Sequence, residues 1–435
     1  MINAPLPTPP RPHVTESNIR RTVLANGVRL ATERMPHVRS VSVGIWLTRG
    51  SRHEPTQNPG IAHFVEHMLF KGTPGRSAEE IAQQVDSIGG QIDAFTSKEY
   101  AGYYLKVLDE HLPLAVDILA DLICNPLFAE DEIEREKKVI LEEIKMVEDT
   151  PDDLVHEMFA EGFWANHPLG RPILGTPASV SGLDQATLRQ YFSQTYVAEN
   201  FVVVAVGNLE HEQVRDLFER ALEKAPRTGP AAEQSAPQVV PVIQVRKKDL
   251  EQSHIVFGTE ALPQHHPERY AGYALNTTLG GSMSSRLFQN VREKRGLAYS
   301  VFSGLSAYQD AGALSIYAGC ANDAVAELID VVVAEIRQMK AGGLDPIELR
   351  RAKDHLKGSL MLGLESTSSR MSHLARQEMY RDSTFGLDEM LAAIEQVSAE
   401  DVLRLADRFF SNGSLAVTVL GNVNGLHVTK EQLAL

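Results

Sequence analysis

Cysteine is scarce in this chain: 435 residues hold only Cys124 and Cys320. So few thiols exclude a disulfide-stapled scaffold and suit a reducing compartment. Neither cysteine has a motif around it, and no serine sits in a Gly-x-Ser-x-Gly turn, so no thiol or hydroxyl nucleophile is indicated. No apolar run reaches the roughly eighteen residues of a membrane span. Basic charge is outweighed, with 42 Lys and Arg against 57 Asp and Glu, and the net charge of −15 disfavours nucleic acid as a partner. The opening stretch MINAPLPTPPRPHVTES has no apolar segment and only Arg11 before Arg20, so neither a secretory signal nor an Arg-rich transit helix is expected. Residues 1–19 read as a disordered or extended tail. The remaining composition, 43% hydrophobic and 23% charged, supports two or more domains with proper cores. A bacterial cytoplasm is the expected location, with a mitochondrial matrix as second choice.

Against these absences stands one dense motif, His63-Phe64-Val65-Glu66-His67. Its flanks, Ile61, Ala62, Met68 and Leu69, are apolar, and Gly72 with Pro74 can end a helix there. On a helix, i and i+4 lie one above the other, so both imidazoles can reach one metal ion, with Glu66 beside them at i+3. Histidine is 15 of 435 residues, so on the order of 0.04 such matches would arise by chance. Zinc hydrolysis sites need two or three such ligands and an open position.

A third ligand is available on a second helix, DEIEREKKVILEEIKMVE, from Asp131 to Glu148. Its apolar stripe runs Ile133, Ile140, Ile144 and Val147, with Val139 alongside, and Glu136 and Glu143 fall on or beside it. A carboxylate facing a core needs a partner, because an unpaired buried charge is very costly. A metal cation would serve; so would a Lys or Arg at the helix edge, and for Glu136 both readings stand.

HFVEH, Glu143 within VILEEIKMVED, GGQIDAFTSKEYAGYY at 89–104 and SSRLFQNVREKRGLAYSVFSG at 284–304 together resemble the pitrilysin and mitochondrial processing peptidase family of zinc metallopeptidases. The resemblance runs from about Arg20 to Val423 and suggests a short, two-repeat, bacterial-type member. It implies His63, His67 and Glu143 as ligands of one zinc ion per chain, Glu66 as catalytic base, and Glu136 as a carboxylate orienting a ligand. Glu142 is adjacent, but the spacing and the stripe favour Glu143. The implied activity is an endopeptidase that attacks a peptide carbonyl with metal-activated water. Two alternatives remain: a maturase trimming one precursor, or a non-enzymatic assembly subunit of the same fold. In the second, the four site residues would be expected to be lost.

The chain also repeats itself. FVVVAVGNL at 201–209 and LAVTVLGNV at 415–423 align at an offset of 214, as do Ile133-Glu134 and Ile347-Glu348. At that offset His63, Glu66 and His67 become Thr277, Gly280 and Gly281, while Glu136 and Glu143 become Arg350 and Lys357, so the second half lacks the metal set. The expected organisation is a tail at 1–19, a zinc-binding domain at 20–224, a linker at 225–241, a homologous zinc-less domain at 242–425 and a tail at 426–435. The fold class is α+β: two homologous domains, each a mixed, largely antiparallel sheet with helices packed on one face, arranged as a clamshell.

Substrate contacts are expected from Asp93, Ala94 and Phe95, on an edge strand that takes an extended peptide as an added strand. An ordinary solvent-facing edge strand is the plain alternative. The family usually has Asn where Asp93 stands. Arg292 and Tyr299 match the family's Arg–Tyr pair, whose implied role is to reach substrate carbonyls near the zinc; otherwise they are a charged helix end and a half-buried tyrosine. Asp93 and Glu99, with the net charge, suggest an acidic chamber favouring basic peptides. The expected assembly is a homodimer, or a heterodimer with a zinc-less paralogue.

Overall fold

The computed structural model describes residues 18–230, 236–380 and 386–435. Most of the expected N-terminal tail and the middle of the expected linker lie outside these residues. The tail ends by Ile19, which opens the first strand.

Each half of the chain builds one mixed sheet. The first contains β1 (Ile19–Val23), β2 (Arg29–Arg34), β3 (Ser40–Leu47), β4 (Gln91–Thr96), β5 (Ala101–Leu108) and β6 (Phe201–Gly207), in the order β1-β2-β6-β3-β5-β4. The second contains β7 (Ile243–Lys247), β8 (Gln252–Ala261), β9 (Ala298–Ala307), β10 (Gly312–Ala321) and β11 (Ala416–Gly421), in the order β7-β11-β8-β10-β9. One parallel pair interrupts each antiparallel sheet, β2 with β6 and β7 with β11. From β2 onward the two orders correspond strand for strand, so the halves are homologous domains. β4 and β9 are the equivalent edge strands.

The repeat is not held in one register. The motif helix (Ile61–Leu69) and its counterpart (Arg269–Leu279) begin 208 residues apart, whereas the helices Glu130–Asp149 and Pro346–Gly363 begin 216 apart. Element by element, His63, Glu66 and His67 therefore face Ala271, Ala274 and Leu275, not the residues at offset 214. For Glu136 and Glu143 the ends of the two helices, Asp149 and Gly363, keep the offset of 214, which pairs them with Arg350 and Lys357. The second half has replaced the metal set mostly by small or apolar residues, and Ala271, Ala274 and Leu275 are buried in its core.

Helices of the same domain cover one face of each sheet, as expected, and a helix from the other half covers the second face. β6, FVVVAVG, is buried at every residue, the pattern of a strand covered on two sides. Val203 and Ala205 face the first domain's own helices. Val202, Val204 and Val206 face Met371, Leu374 and Ala375 on the helix Thr367–Tyr380, which comes from the second half. The exchange is reciprocal: Leu154, Val155, Phe159 and Phe163, on the helix Pro151–Phe163, pack against Val256, Tyr317, Ala416 and Leu420 of the second sheet. Gly258 leaves room for Phe159 where a Cβ would collide with its ring. The expected C-terminal tail is also seated, with Leu433 buried in the second core and Arg337 donating to the Ala434 carbonyl.

Candidate metal centre

The motif helix buries Ile61, Phe64, Val65, Met68 and Leu69 in the first core. That fixes the opposite face, and His63 and His67 meet there edge to face, with ring centroids 4.6 Å apart. The helix starts from Gly60, whose φ of 91° no other residue type adopts readily and which has no side chain to cap with. The cap comes from Glu54, whose buried carboxylate accepts from the Gly60 amide at 3.0 Å and the Ala62 amide at 2.8 Å. Burial pushes Glu54 up to about 8, against these amide bonds.

The helix Glu130–Asp149 crosses the motif helix with Ile133, Ile140 and Ile144 buried. Val139, expected beside this stripe, is exposed. Glu142 faces solvent and bonds Lys145 at 2.7 Å. Glu143 lies beside the histidines: its Oε2 is 3.8 Å from His63 Nε2 and 3.7 Å from His67 Nε2. One ligand atom from each of the three residues lies within 4.8 Å of the others. The separations involving Glu143 are too long for hydrogen bonds and near the roughly 3.4 Å edge of a tetrahedron with bonds of about 2.1 Å. Glu143 Oε2 is buried with no hydrogen-bond partner. A buried carboxylate oxygen facing two imidazole nitrogens calls for a cation, and the N, N, O donor set suits zinc. Burial, then the neighbouring His67, pushes His63 down to about 3, so its imidazole is neutral and able to ligate.

Glu136, buried, accepts from His67 Nδ1 at 2.9 Å through one oxygen and from Lys71 Nζ at 2.6 Å through the other. The lysine partner expected at the helix edge is Lys71, and the same carboxylate also bonds a histidine. An ionised carboxylate only accepts, so Nδ1 is the donor in this bond and Nε2 is the nitrogen left for a metal.

Glu66 lies between this centre and the edge strand. Burial raises its pKa, opposed by a hydrogen bond from the Thr96 hydroxyl and by His67. Thr96, the last residue of β4, was not singled out in the sequence. Its signal was the alternation: Ile92 and Ala94 pack on the core beside the motif helix, and Thr96 follows on the same face. Asp93 and Phe95 point to the other face. There Asp93 accepts from the Tyr104 hydroxyl at 2.8 Å and from the Ala94 amide at 2.9 Å, and Phe95 meets the Tyr100 and Tyr104 rings. Among the described residues β4 pairs with β5 alone, so it is an edge strand with its other side unpaired.

Glu99, expected to acidify this region, is buried and salt-bridged to Arg52 at 2.7 Å. Its charge is paired, and of the two expected carboxylates only Asp93 is exposed.

Arg292 and Tyr299 are together but elsewhere. The Arg292 guanidinium lies 4.4 Å from the Tyr299 ring centre, and Tyr299 is 78% exposed at the start of β9. Among the described residues, no hydrogen bond, ion pair or ring contact joins either to His63, His67 or Glu143.

Comparisons with known proteins bear on this centre. Residues 29–177 match the family described as Insulinase (Peptidase family M16), and residues 182–356 match Peptidase M16 inactive domain. A Bacillus subtilis protein named as an uncharacterized zinc protease, YmxG, is 43% identical over 90% of this chain and 96% of its own length. A similarly named zinc protease of Mycobacterium tuberculosis is 42% identical over 90% of this chain and 91% of its own. Among solved structures, a peptidase M16 inactive domain from Pseudomonas fluorescens superimposes with a TM-score of 0.88, at 20% identity, covering 94% of this chain and all of the other. A Helicobacter pylori protease does so at 0.86, with 23% identity over 93% and 99%. These two likenesses speak for the fold.

Proposed function

The chain belongs to peptidase family M16, and from that premise we propose that it is a zinc-dependent endopeptidase cleaving extended peptides or unfolded segments. The observation that carries this reading is the grouping of His63, His67 and Glu143 within 4.8 Å, with Glu66 beside them on the same helix. One zinc ion held by these three residues would supply an activated water and polarise the scissile carbonyl. Glu66 takes a proton from the attacking water and returns it to the leaving amine as the carbon–nitrogen bond breaks. Thr96 holds that carboxylate at the end of the edge strand. A peptide added along the open edge of β4, past Asp93, Ala94 and Phe95, would bring its backbone to the same place. All four site residues are present, which argues against a purely structural subunit. Among the described residues no helix is long and apolar enough to cross a membrane.

The position of Arg292 and Tyr299 supports a working pair of chains. Tyr299 stands exposed on the second domain with Arg292 half-buried beside it, so in a homodimer they would serve the zinc centre of the other copy. Tyr299→Phe should retain zinc and lower kcat roughly 10-fold, the worth of a neutral hydrogen bond of about 1–1.5 kcal/mol. Mixing Tyr299→Phe chains with Glu66→Gln chains should then restore about a quarter of wild-type activity, since randomly formed mixed pairs hold one complete site. A mixture no more active than the mean of its parents would show that the pair does not act across chains.

A further inference from the structure

The two equivalent edge hairpins meet at their turns. Residues 97–100 link β4 to β5 in the first domain, and residues 308–311 link β9 to β10 in the second. Arg52 lies between them, with a side chain only 2% exposed. One of its terminal nitrogens donates to Glu99 at 2.7 Å and to Asp310 at 2.7 Å; the other donates to Asp310 at 2.6 Å. Glu99 also accepts from the Gln309 amide, at 3.0 and 3.1 Å, and from the Tyr380 hydroxyl at 2.6 Å. Tyr380 ends the helix that the second half lends to the first. One carboxylate in the turn after β4 thus gathers contacts from three separate segments, two of them in the second half.

The backbone carries the link onward. The Ser51 and Arg52 amides donate to the Ser97 and Lys98 carbonyls at 3.0 and 2.7 Å. Gly50 lies so close to this turn that a Cβ would strike Ser97, Glu99 and Tyr100 backbone atoms. Three residues before Glu99, Thr96 bonds Glu66. From the second domain to the candidate base there is one unbroken path of direct bonds and four residues of chain.

A buried ion pair adds little net stability over a well-packed apolar substitute; fixing one geometry is the better-attested use of such a pair. We propose that Arg52, Glu99 and Asp310 are positioning residues, which lock the turn after β4 to the second domain and so hold Thr96 against Glu66 and the open edge in register. The proposal rests on the peptidase reading of that edge. None of the three touches the candidate metal ligands, so zinc binding is independent of them.

The test uses full-length, zinc-loaded protein, with Asp310→Asn and Arg52→Lys. Asparagine keeps the size of Asp310 but not the ion pair, and a lysine cannot fork between two carboxylates. Hydrogen exchange read by mass spectrometry should quicken roughly 10-fold in residues 91–100 and stay unchanged in the two helices bearing His63, His67 and Glu143. Zinc affinity should be unchanged, while kcat/KM for a cleaved peptide falls roughly 10-fold. Glu99→Gln, whose one carboxamide oxygen can still accept from Gln309 and Tyr380 but whose nitrogen then faces the Arg52 guanidinium, should show the same losses as these variants. Unchanged exchange in residues 91–100 in both variants would overturn the proposal. So would faster exchange with unchanged kcat/KM, which would leave a structural staple only. If wild type cleaved no peptide, the peptidase reading would fall, and the exchange arm would still judge the link between the second domain and β4.

Discussion

Replacing Glu66 by glutamine is expected to leave zinc bound and to lower kcat by ~10²–10⁴-fold, the usual worth of a placed general base. The substitution keeps the shape of the side chain and an oxygen to accept the Thr96 hydroxyl, so neither the motif helix nor the end of β4 has reason to move. It removes the one property the chemistry needs, a basic oxygen. Burial already raises the Glu66 pKa, which makes the carboxylate a better proton acceptor than an exposed one at the same pH. Metal content by elemental analysis and kcat on one cleaved peptide measure both halves of the expectation. A variant with full zinc and wild-type kcat would assign the base elsewhere.

The second large effect falls on metal affinity. Glu136→Gln should weaken zinc binding roughly 10–100-fold, as loss of a carboxylate behind a ligating histidine does elsewhere. Glu136 serves two donors, His67 Nδ1 and Lys71 Nζ, and an ionised carboxylate satisfies both. A carboxamide has one accepting oxygen; its nitrogen would face a donor on one side. Either His67 loses the bond that fixes its tautomer, or Lys71 loses its partner. The fold should persist, because Ile133, Ile140 and Ile144 keep the helix seated. Competition against a chelator gives the affinity. Wild-type affinity in this variant would reduce Glu136 to the partner of a lysine.

Much of this centre could be read in the sequence because its information is local. Two histidines four apart can only share a helix face, and Glu143 is separated from its solvent-facing neighbour Glu142 by the apolar stripe alone. The edge strand was legible too, and Asp93, Ala94 and Phe95 lie within Gln91–Thr96. Three features were not legible, each for a physical reason. The run FVVVAVG shows that both faces of β6 are covered, but not that the outer cover is a helix more than 160 residues away. Glu99 reads as one more surface acid until it meets Arg52, 47 residues earlier, and Asp310, 258 residues from Arg52. The repeat offset, taken from the clearest matches, missed that the motif helices align at 208 because the loops between elements differ in length.

That lending of helices also bears on how the chain works. With each sheet's outer face covered by the other half and Arg52 buried between the hairpins, the two domains share apolar cores as well as an ion pair. The described residues thus form one coupled unit, in which the second domain is bonded to the turn after β4.

The most direct measurement is the cleavage of a mixed peptide library by the purified chain, first stripped of metal by a chelator and then given back zinc, with products identified by mass spectrometry. The account predicts internal cuts that vanish on stripping and return at about one zinc per chain. Cuts that persist without metal, or a zinc-loaded chain that leaves every peptide whole, would contradict it.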